Sequence, residues 1–288
     1  MEKRILNIHE FTKYLNIGDI KNEDLHIANF EGRDDMLLKS APITIDFYLL
    51  AIKPPFDNKI VTYDLLEDQS DASYMYVDCP HNSLDWDITL PVAGYCILVS
   101  GKLLKKYAKD YSFMHYNNHE ALFLTRAEEA ILWDLYRKAY DEYQKEFYSK
   151  EVILSYVGLI LSYAQIFYDR QFDTRSKIYH KVITDFYKNL ENYFSKSEEV
   201  AGLPSVAFFA QKANLSPNYF GDLIKHFTGE SPIDHIQDFV IRMAKDKLRN
   251  TSLSVSEISY SLGFDYPNYF ARFFRKKTGL APKVFRNQ

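Results

Sequence analysis

The chain repeats itself once, and that repeat constrains its fold more than any other feature. Pro217-Asn218-Tyr219-Phe220 returns as Pro267-Asn268-Tyr269-Phe270, Thr228-Gly229 returns as Thr278-Gly279, and Pro232 returns as Pro282. Two copies at a period of about 50 residues are too few for a solenoid and point to a duplicated module. Upstream, Val206, Phe209, Ala210 and Leu215 match Val255, Ile258, Ser259 and Phe264 in a register one residue shorter. The turn of the second copy, 263–266, is therefore longer than that of the first, 214–216.

Each copy reads as helix, tight turn, helix, over about 205–228 and 254–278. Ser205 and Ser254 are placed to cap the first helices, and Ala210 and Ser259 are small enough for a close helix crossing. Gly263 can supply the positive φ that ends a helix, and Asn214 tolerates the same region. Pro217 and Pro267 open the second helices, where the missing N–H costs nothing. The spacing turns Tyr219, Phe220, Leu223, Ile224 and Phe227 inward in one, and Tyr269, Phe270, Phe273 and Phe274 in the other. The outer faces then carry Asn218, Gly221, Asp222 and Lys225 in the first, and Asn268, Ala271, Arg272, Arg275 and Lys276 in the second. Polar hydrogen bonders near the N-terminal end, with cations further along, suit a helix lying in a major groove. A linker helix over 232–250, with Ile233, Ile236, Val240, Met243, Ala244 and Leu248 inward, would hold two such helices about 34 Å apart, one DNA turn.

Charge agrees with this placement. The net charge of −4 divides unevenly: from residue 200 onward there are twelve Lys and Arg against seven Asp and Glu. An acidic chain with a basic end meets a polyanion through that end. The length, 288 residues, suits two domains. We expect a boundary near Thr174, giving domains 1–173 and 174–288, with the polar stretch 169–177 as the linker.

The first half is expected to be β-rich. Residues 43–52, 59–66, 73–77 and 92–99 are short runs of β-branched, aromatic and aliphatic residues separated by turn formers, which suits a small barrel or sandwich. Helical spacing follows in Ile131, Leu132, Leu135, Tyr136, Ala139 and Tyr143, and again in Val152, Tyr156, Leu159, Ile160, Tyr163 and Phe167, so a helical hairpin linked at 148–150 is predicted. Residues 152–168 carry no charge and approach the length of a membrane span. Their serines, tyrosines and glutamine favour a buried helix instead, placed at a dimer contact. No signal peptide is read at the N-terminus, and a soluble, cytoplasmic chain is expected. Cys79 and Cys96 have no metal-ligand spacing and read as small buried hydrophobes.

At this point the run 254–286 (SVSEISYSLGFDYPNYFARFFRKKTGLAPKVFR) is seen to resemble the signature region of the AraC family of bacterial transcription regulators. The run SVAFFAQKANLSPNYFGDLIKHFTGESP resembles that family's other helix-turn-helix, and the likeness covers about 178–286. The resemblance implies a seven-helix, all-α DNA-binding domain and control of a promoter, with activation the expected sign. It implies double-stranded operator DNA, RNA polymerase, a small-molecule effector and a second copy of the chain as partners. Base-facing positions carried over from the family are Asn218, Gly221, Asp222, Asn268, Ala271 and Arg272, with Arg275 and Lys276 as phosphate or helix-end charges. Relatives often carry a polar residue at Gly221 and a basic one at Asp222. An acid there repels phosphate, although it can accept from a cytosine amine. Ser259 stands where Ala is usual. Relatives often carry a cupin-like barrel ahead of this domain, so the expected fold class is α+β in two domains: cupin-like barrel, helical hairpin, tandem helix-turn-helix.

Tyr48, Tyr63, Tyr74, Tyr76 and Trp86 are candidates to line an effector pocket, or simply to pack the barrel. His115 and His119 have i, i+4 spacing, but asparagines between them and the lack of a third ligand leave no metal site expected. No phosphate loop, GxSxG elbow or carboxylate pair is present, so neither a cofactor nor an enzymatic activity is expected. Two further readings stay open: a regulator controlled by a protein partner rather than a ligand, and an enzyme domain fused to a DNA-targeting module.

Overall fold

The computed structural model describes residues 5–55, 72–88, 90–117, 120–195 and 202–287, in two compact units, Met1–Thr174 and Arg175–Gln288. The predicted strand 59–66, Tyr63 and His119 lie outside the described residues.

The first unit opens with β1 (Ile5–Leu6) and α1 (Ile8–Leu15). A capping box starts the helix: Asn7 Oδ1 accepts from the Glu10 N–H at 2.9 Å, and Glu10 Oε2 accepts from the Asn7 N–H at 3.1 Å. Ile8, Phe11 and Leu15 recur at helical spacing and are buried. Then come β2 (Leu25–Asn29), β3 (Ile43–Ile45), β4 (Phe47–Lys53), β5 (Tyr74–Asp78), β6 (Ser83–Leu84), β7 (Tyr95–Ser100), α2 (Gly101–Leu104), a 3-10 turn at Ser112–His115, and β8 (Leu122–Phe123). The strands form two sheets, β1-β3-β6 and β2-β7-β4-β5-β8. Among the described residues no closed barrel is formed, cupin-like or otherwise. The apolar run 43–52, expected as one strand, divides at Asp46, whose N–H donates to the Leu6 carbonyl, and its two parts enter different sheets.

Both faces of the larger sheet are covered. Ala28, Leu49, Ala51, Cys96 and Leu98 pack with Phe11 and Leu15 of α1 and with Ile43 and Ile45 of the small sheet. The alternate residues Leu50, Ile52, Ile97 and Val99 are equally buried. On that side Tyr95 makes ring contacts with Trp133 and Tyr140 of α3 (Arg126–Gln144). Two covered faces explain why β4 and β7 read as continuous apolar runs rather than alternating ones.

Helix α4 (Lys150–Thr174) completes the hairpin, with its inward face displaced from the predicted one. The buried residues are Ile153, Leu154, Val157, Ile160, Leu161, Ala164, Phe167 and Tyr168, whereas Val152 and Leu159 are exposed, as is Ile131 on α3. A helix apolar all round gives its orientation no sequence signal. By length and composition α4 could cross a membrane. Nor is 169–177 a linker loop. Gln171 is fully buried, its Oε1 accepting from the Phe123 N–H at 2.8 Å and its amide donating to the Ala121 carbonyl at 3.2 Å. Arg170 donates to Glu128 and to the Phe123 carbonyl. These polar groups satisfy the β8 backbone and therefore belong to a packed helix.

The second unit is all helix: α5 (Ser176–Ser195), α6 (Val206–Lys212), α7 (Pro217–Thr228), α8 (Pro232–Asn250), α9 (Val255–Ser261), α10 (Pro267–Thr278) and α11 (Pro282–Arg286). Its first half packs Phe186 of α5 against Phe209 and Phe220 at ring separations of 5.1 and 5.5 Å. The second half gathers Val240, Ala244 and Leu248 of α8 with Ile258, Leu262, Phe264, Phe270, Phe274 and Phe285. Phe220 and Phe270, equivalent in the repeat, are both buried.

Candidate nucleic-acid interface

Local chemistry positions α7 and α10. Ser205, Ser216 and Ser254 cap α6, α7 and α9, each hydroxyl accepting from the N–H three residues on. The two helix-turn-helix turns use positive φ, 54° at Asn214 and 86° at Gly263. Gly263 has a second reason to lack a side chain: a Cβ there would lie 2.5 Å from the Gly202 carbonyl. Both second helices begin with Pro and end at a left-handed glycine, Gly229 or Gly279.

On α7 the buried face is Tyr219, Phe220, Leu223 and Ile224, leaving Asn218 and Lys225 exposed and Gly221 and Asp222 half-buried. A Cβ at Gly221 would meet nothing within 4 Å, so the outer face of α7 has a gap there. On α10 Phe270 and Phe274 are buried, Asn268, Arg272, Arg275 and Lys276 are exposed, and Ala271 is half-buried.

Tyr269 departs from the expected inward set. Its equivalent Tyr219 is buried and shares a hydroxyl–hydroxyl hydrogen bond with Tyr179 of α5, whereas Tyr269 is 58% exposed beside Tyr266. Spacing does not separate the two, because each tyrosine holds the same position in its helix; only the second has no partner like Tyr179 packed over it among the described residues.

The cations of α10 differ in their partners. Lys277 is tied to α8 by Asp238 at 3.3 Å and Asp234 at 4.0 Å. Arg272, Arg275 and Lys276 make no ion pair among the described residues. Arg286 is structural, donating to the Leu248 carbonyl at 3.2 Å and the Leu253 carbonyl at 2.6 Å and so closing the end of α8.

In the first unit the aromatic candidates separate. Tyr76 and Trp86 line a cavity of about 80 Å³ between α1 and the large sheet, together with Phe11, Met36, Leu49 and Lys53. Tyr48 and Tyr74 are not part of its lining. Tyr48 lies against Gly101, and Tyr74 stacks on Tyr76 and tilts against Phe123. Lys53 was not foreseen, since a lysine ending an apolar strand gives no sign that it enters a cavity.

Cys79 and Cys96 are buried and free, and burial raises the pKa of both thiols, that of Cys96 to about 12. His115 faces Cys79 Sγ at 3.5 Å and Asp110 at 3.2 Å. Among the described residues no group of three or more metal-ligating side chains converges.

Comparison with known proteins places the likeness in the second unit. A family model described as "Helix-turn-helix domain" matches residues 209–288. The arabinose operon regulatory protein of Escherichia coli is 35% identical over 81 residues, 28% of this chain and 28% of that protein. Histidine kinase P4 of Formosa agariphila is 31% identical over 83 residues, 29% of this chain but 6% of the kinase. The C-terminal domain of AraT, a response regulator from Geobacillus stearothermophilus, aligns at 26% identity with a TM-score of 0.33. It covers 37% of this chain and 84% of that structure. The matches to curated relatives span between 6% and 32% of their lengths.

Proposed function

The C-terminal unit is a helix-turn-helix domain of the AraC type, and on that premise we propose that the chain is a sequence-specific transcription regulator whose first unit adjusts its action on a promoter. The observation that carries this is the outer face of α10: Arg272, Arg275 and Lys276 exposed, unpaired among the described residues, on a helix anchored by Phe270 and Phe274. Arg272 reads a base edge, a bidentate guanine contact being the geometry that suits its guanidinium, and Arg275 and Lys276 hold phosphates. Asn218, Gly221, Asp222 and Lys225 of α7, with Asn268 and Ala271 of α10, complete the two reading surfaces. The gap at Gly221 and the acid at Asp222 make α7 the weaker reader.

The remaining elements of the proposal are a homodimer, an effector held in the first unit, and activation through RNA polymerase, all in the cytoplasm where the promoter lies. Support for the dimer comes from α4, whose exposed Val152, Leu159 and Ile166 recur every seven residues with Ser155 and Ser162 between them. Support for an effector comes from the cavity bounded by Tyr76, Trp86 and Lys53. An effector acts by biasing an equilibrium between DNA-binding arrangements, to the extent of its different affinities for them.

Selection of genomic fragments by the full-length protein at near-physiological salt tests the reading. The expected result is a shared motif with two blocks about one helical turn apart. Arg272→Ala should lose discrimination at one base step, by about 1–3 kcal/mol, while Lys276→Ala weakens all sequences alike and lowers the salt slope by about one. Binding that remains indifferent to sequence, with and without candidate effectors, would rule the regulator out.

A further inference from the structure

The cavity of the first unit is narrow in its chemistry as well as its size. Its volume, about 80 Å³, is well below the roughly 150 Å³ that admits a benzene ring. Phe11, Leu15, Met36 and Leu49 make most of the wall apolar. Trp86 offers no free donor, because its Nε1–H is spent on the Leu37 carbonyl at 2.8 Å. A ligand rich in hydroxyls would leave them without partners here.

One cation lines the cavity, Lys53 at the end of β4. Its Nζ lies 5.8 Å from the centre of the Phe30 ring and 5.7 Å from that of Tyr76, and it makes no hydrogen bond or ion pair among the described residues. Two aromatic faces offset only part of the cost of burying an ammonium. Burial accordingly lowers the lysine's pKa. Cys96 and Asp78 of the wall act electrostatically in the opposite direction, but neither hydrogen-bonds nor ion-pairs with the lysine among the described residues. Register pairs Lys53 with Tyr74 and Leu49 with Asp78, which sets Asp78 four positions away along the strands, about 13 Å of backbone. Cys96 pairs with Ala51, nearer to Lys53, but burial keeps its thiol protonated. Asp85 lines the cavity from an exposed position beyond β6. The site therefore holds a half-buried lysine amine, with no hydrogen-bond or ion-pair partner among the described residues, at one end of a short apolar slot.

We propose that this cavity binds a short aliphatic carboxylic acid, its carboxylate on Lys53 and its alkyl chain against Met36 and Leu49. This rests on the reading of the first unit as an effector-binding unit and adds the chemical class. The carboxylate supplies the counter-charge that Lys53 lacks, and a charge-assisted bond in so apolar a setting is stronger than its neutral equivalent.

The test is calorimetric titration of the full-length protein with acetate and propionate, acids of fewer heavy atoms than benzene, each beside its primary amide. Acids should bind at least about tenfold more tightly than amides. Lys53→Met should abolish acid binding and Lys53→Arg should retain it. On the unaltered protein, the same acids should slow acetylation of Lys53 by acetic anhydride relative to exposed lysines, read by mass spectrometry, which tests the contact even if Lys53→Met fails to fold. Amides binding as well as acids would overturn the acid assignment while leaving an effector cavity. Neither series binding, with Lys53 acetylated at an unchanged rate, would overturn the assignment and remove this cavity as the effector site.

Discussion

Ser259 and Ala210 occupy equivalent positions in the two helix-turn-helix units, both with no exposed surface, at the crossings where α9 meets α10 and α6 meets α7. The Ser259 hydroxyl is buried without a hydrogen-bond partner among the described residues. A buried hydroxyl left unpaired costs about 1–3 kcal/mol relative to its hydrated state in the unfolded chain. Alanine is also the better helix former in the interior of α9, by about 0.5 kcal/mol. The hydroxyl's lost packing contacts offset part of this, so Ser259→Ala should stabilise the second unit by about 1–2 kcal/mol, raising its melting temperature by about 4 °C or more. Ala210→Ser places the same unpaired hydroxyl in the first repeat and should cost a similar amount. The assay is thermal and urea unfolding of the full-length variants followed by far-UV circular dichroism. Both tryptophans, Trp86 and Trp133, lie in the first unit, so their fluorescence should leave this transition unseen. A Ser259→Ala variant that unfolds at the same or a lower midpoint would refute the reasoning, because the hydroxyl would then be contributing through a partner.

Three further outcomes follow from the same physical chemistry. Gly263→Ala forces a side chain onto φ 86° and against the Gly202 carbonyl, and should destabilise the second unit by about 2 kcal/mol or more; a neutral effect in the same unfolding assay would contradict that packing. His26 is buried, its Nδ1 facing the Tyr143 hydroxyl at 3.2 Å, and burial lowers its pKa to about 4. The unfolded chain therefore binds this proton first as pH falls below about 6.5, and the first unit should lose on the order of 3 kcal/mol by pH 4, an effect absent above pH 7. Tryptophan fluorescence against pH would show this, and a slope unchanged in His26→Gln would assign the loss to other groups. The double variant Leu159→Glu, Ile166→Glu should sediment as a monomer with its secondary structure intact, and a surviving dimer would place the contact elsewhere than on α4.

How much was legible in the sequence varies with the kind of signal. The caps, prolines and glycines around α6, α7, α9 and α10 act within three or four residues, so Ser205, Ser254, Pro217 and Asn214 could be assigned before any packing was known. The capping box of α1 and the strand β2 were equally local, and attention to Asn7-Ile8-His9-Glu10 would have revealed the former. The inward face of α4 was not legible, since apolar residues surround that helix and only contact with α3 and β8 orients it.

The sequence alone determined the duplicated module, its helix boundaries and the outer face bearing Asn268, Arg272, Arg275 and Lys276, because helix periodicity and capping are near-neighbour effects. Tertiary structure alone decided that Tyr219 is buried while Tyr269 stands outside. It decided that Gln171 and Arg170 end a packed helix, and that Lys53, Tyr76 and Trp86 meet around one cavity. Those outcomes depend on which residues distant in the chain come to share a dielectric environment and a hydrogen-bond partner, and no local pattern encodes that.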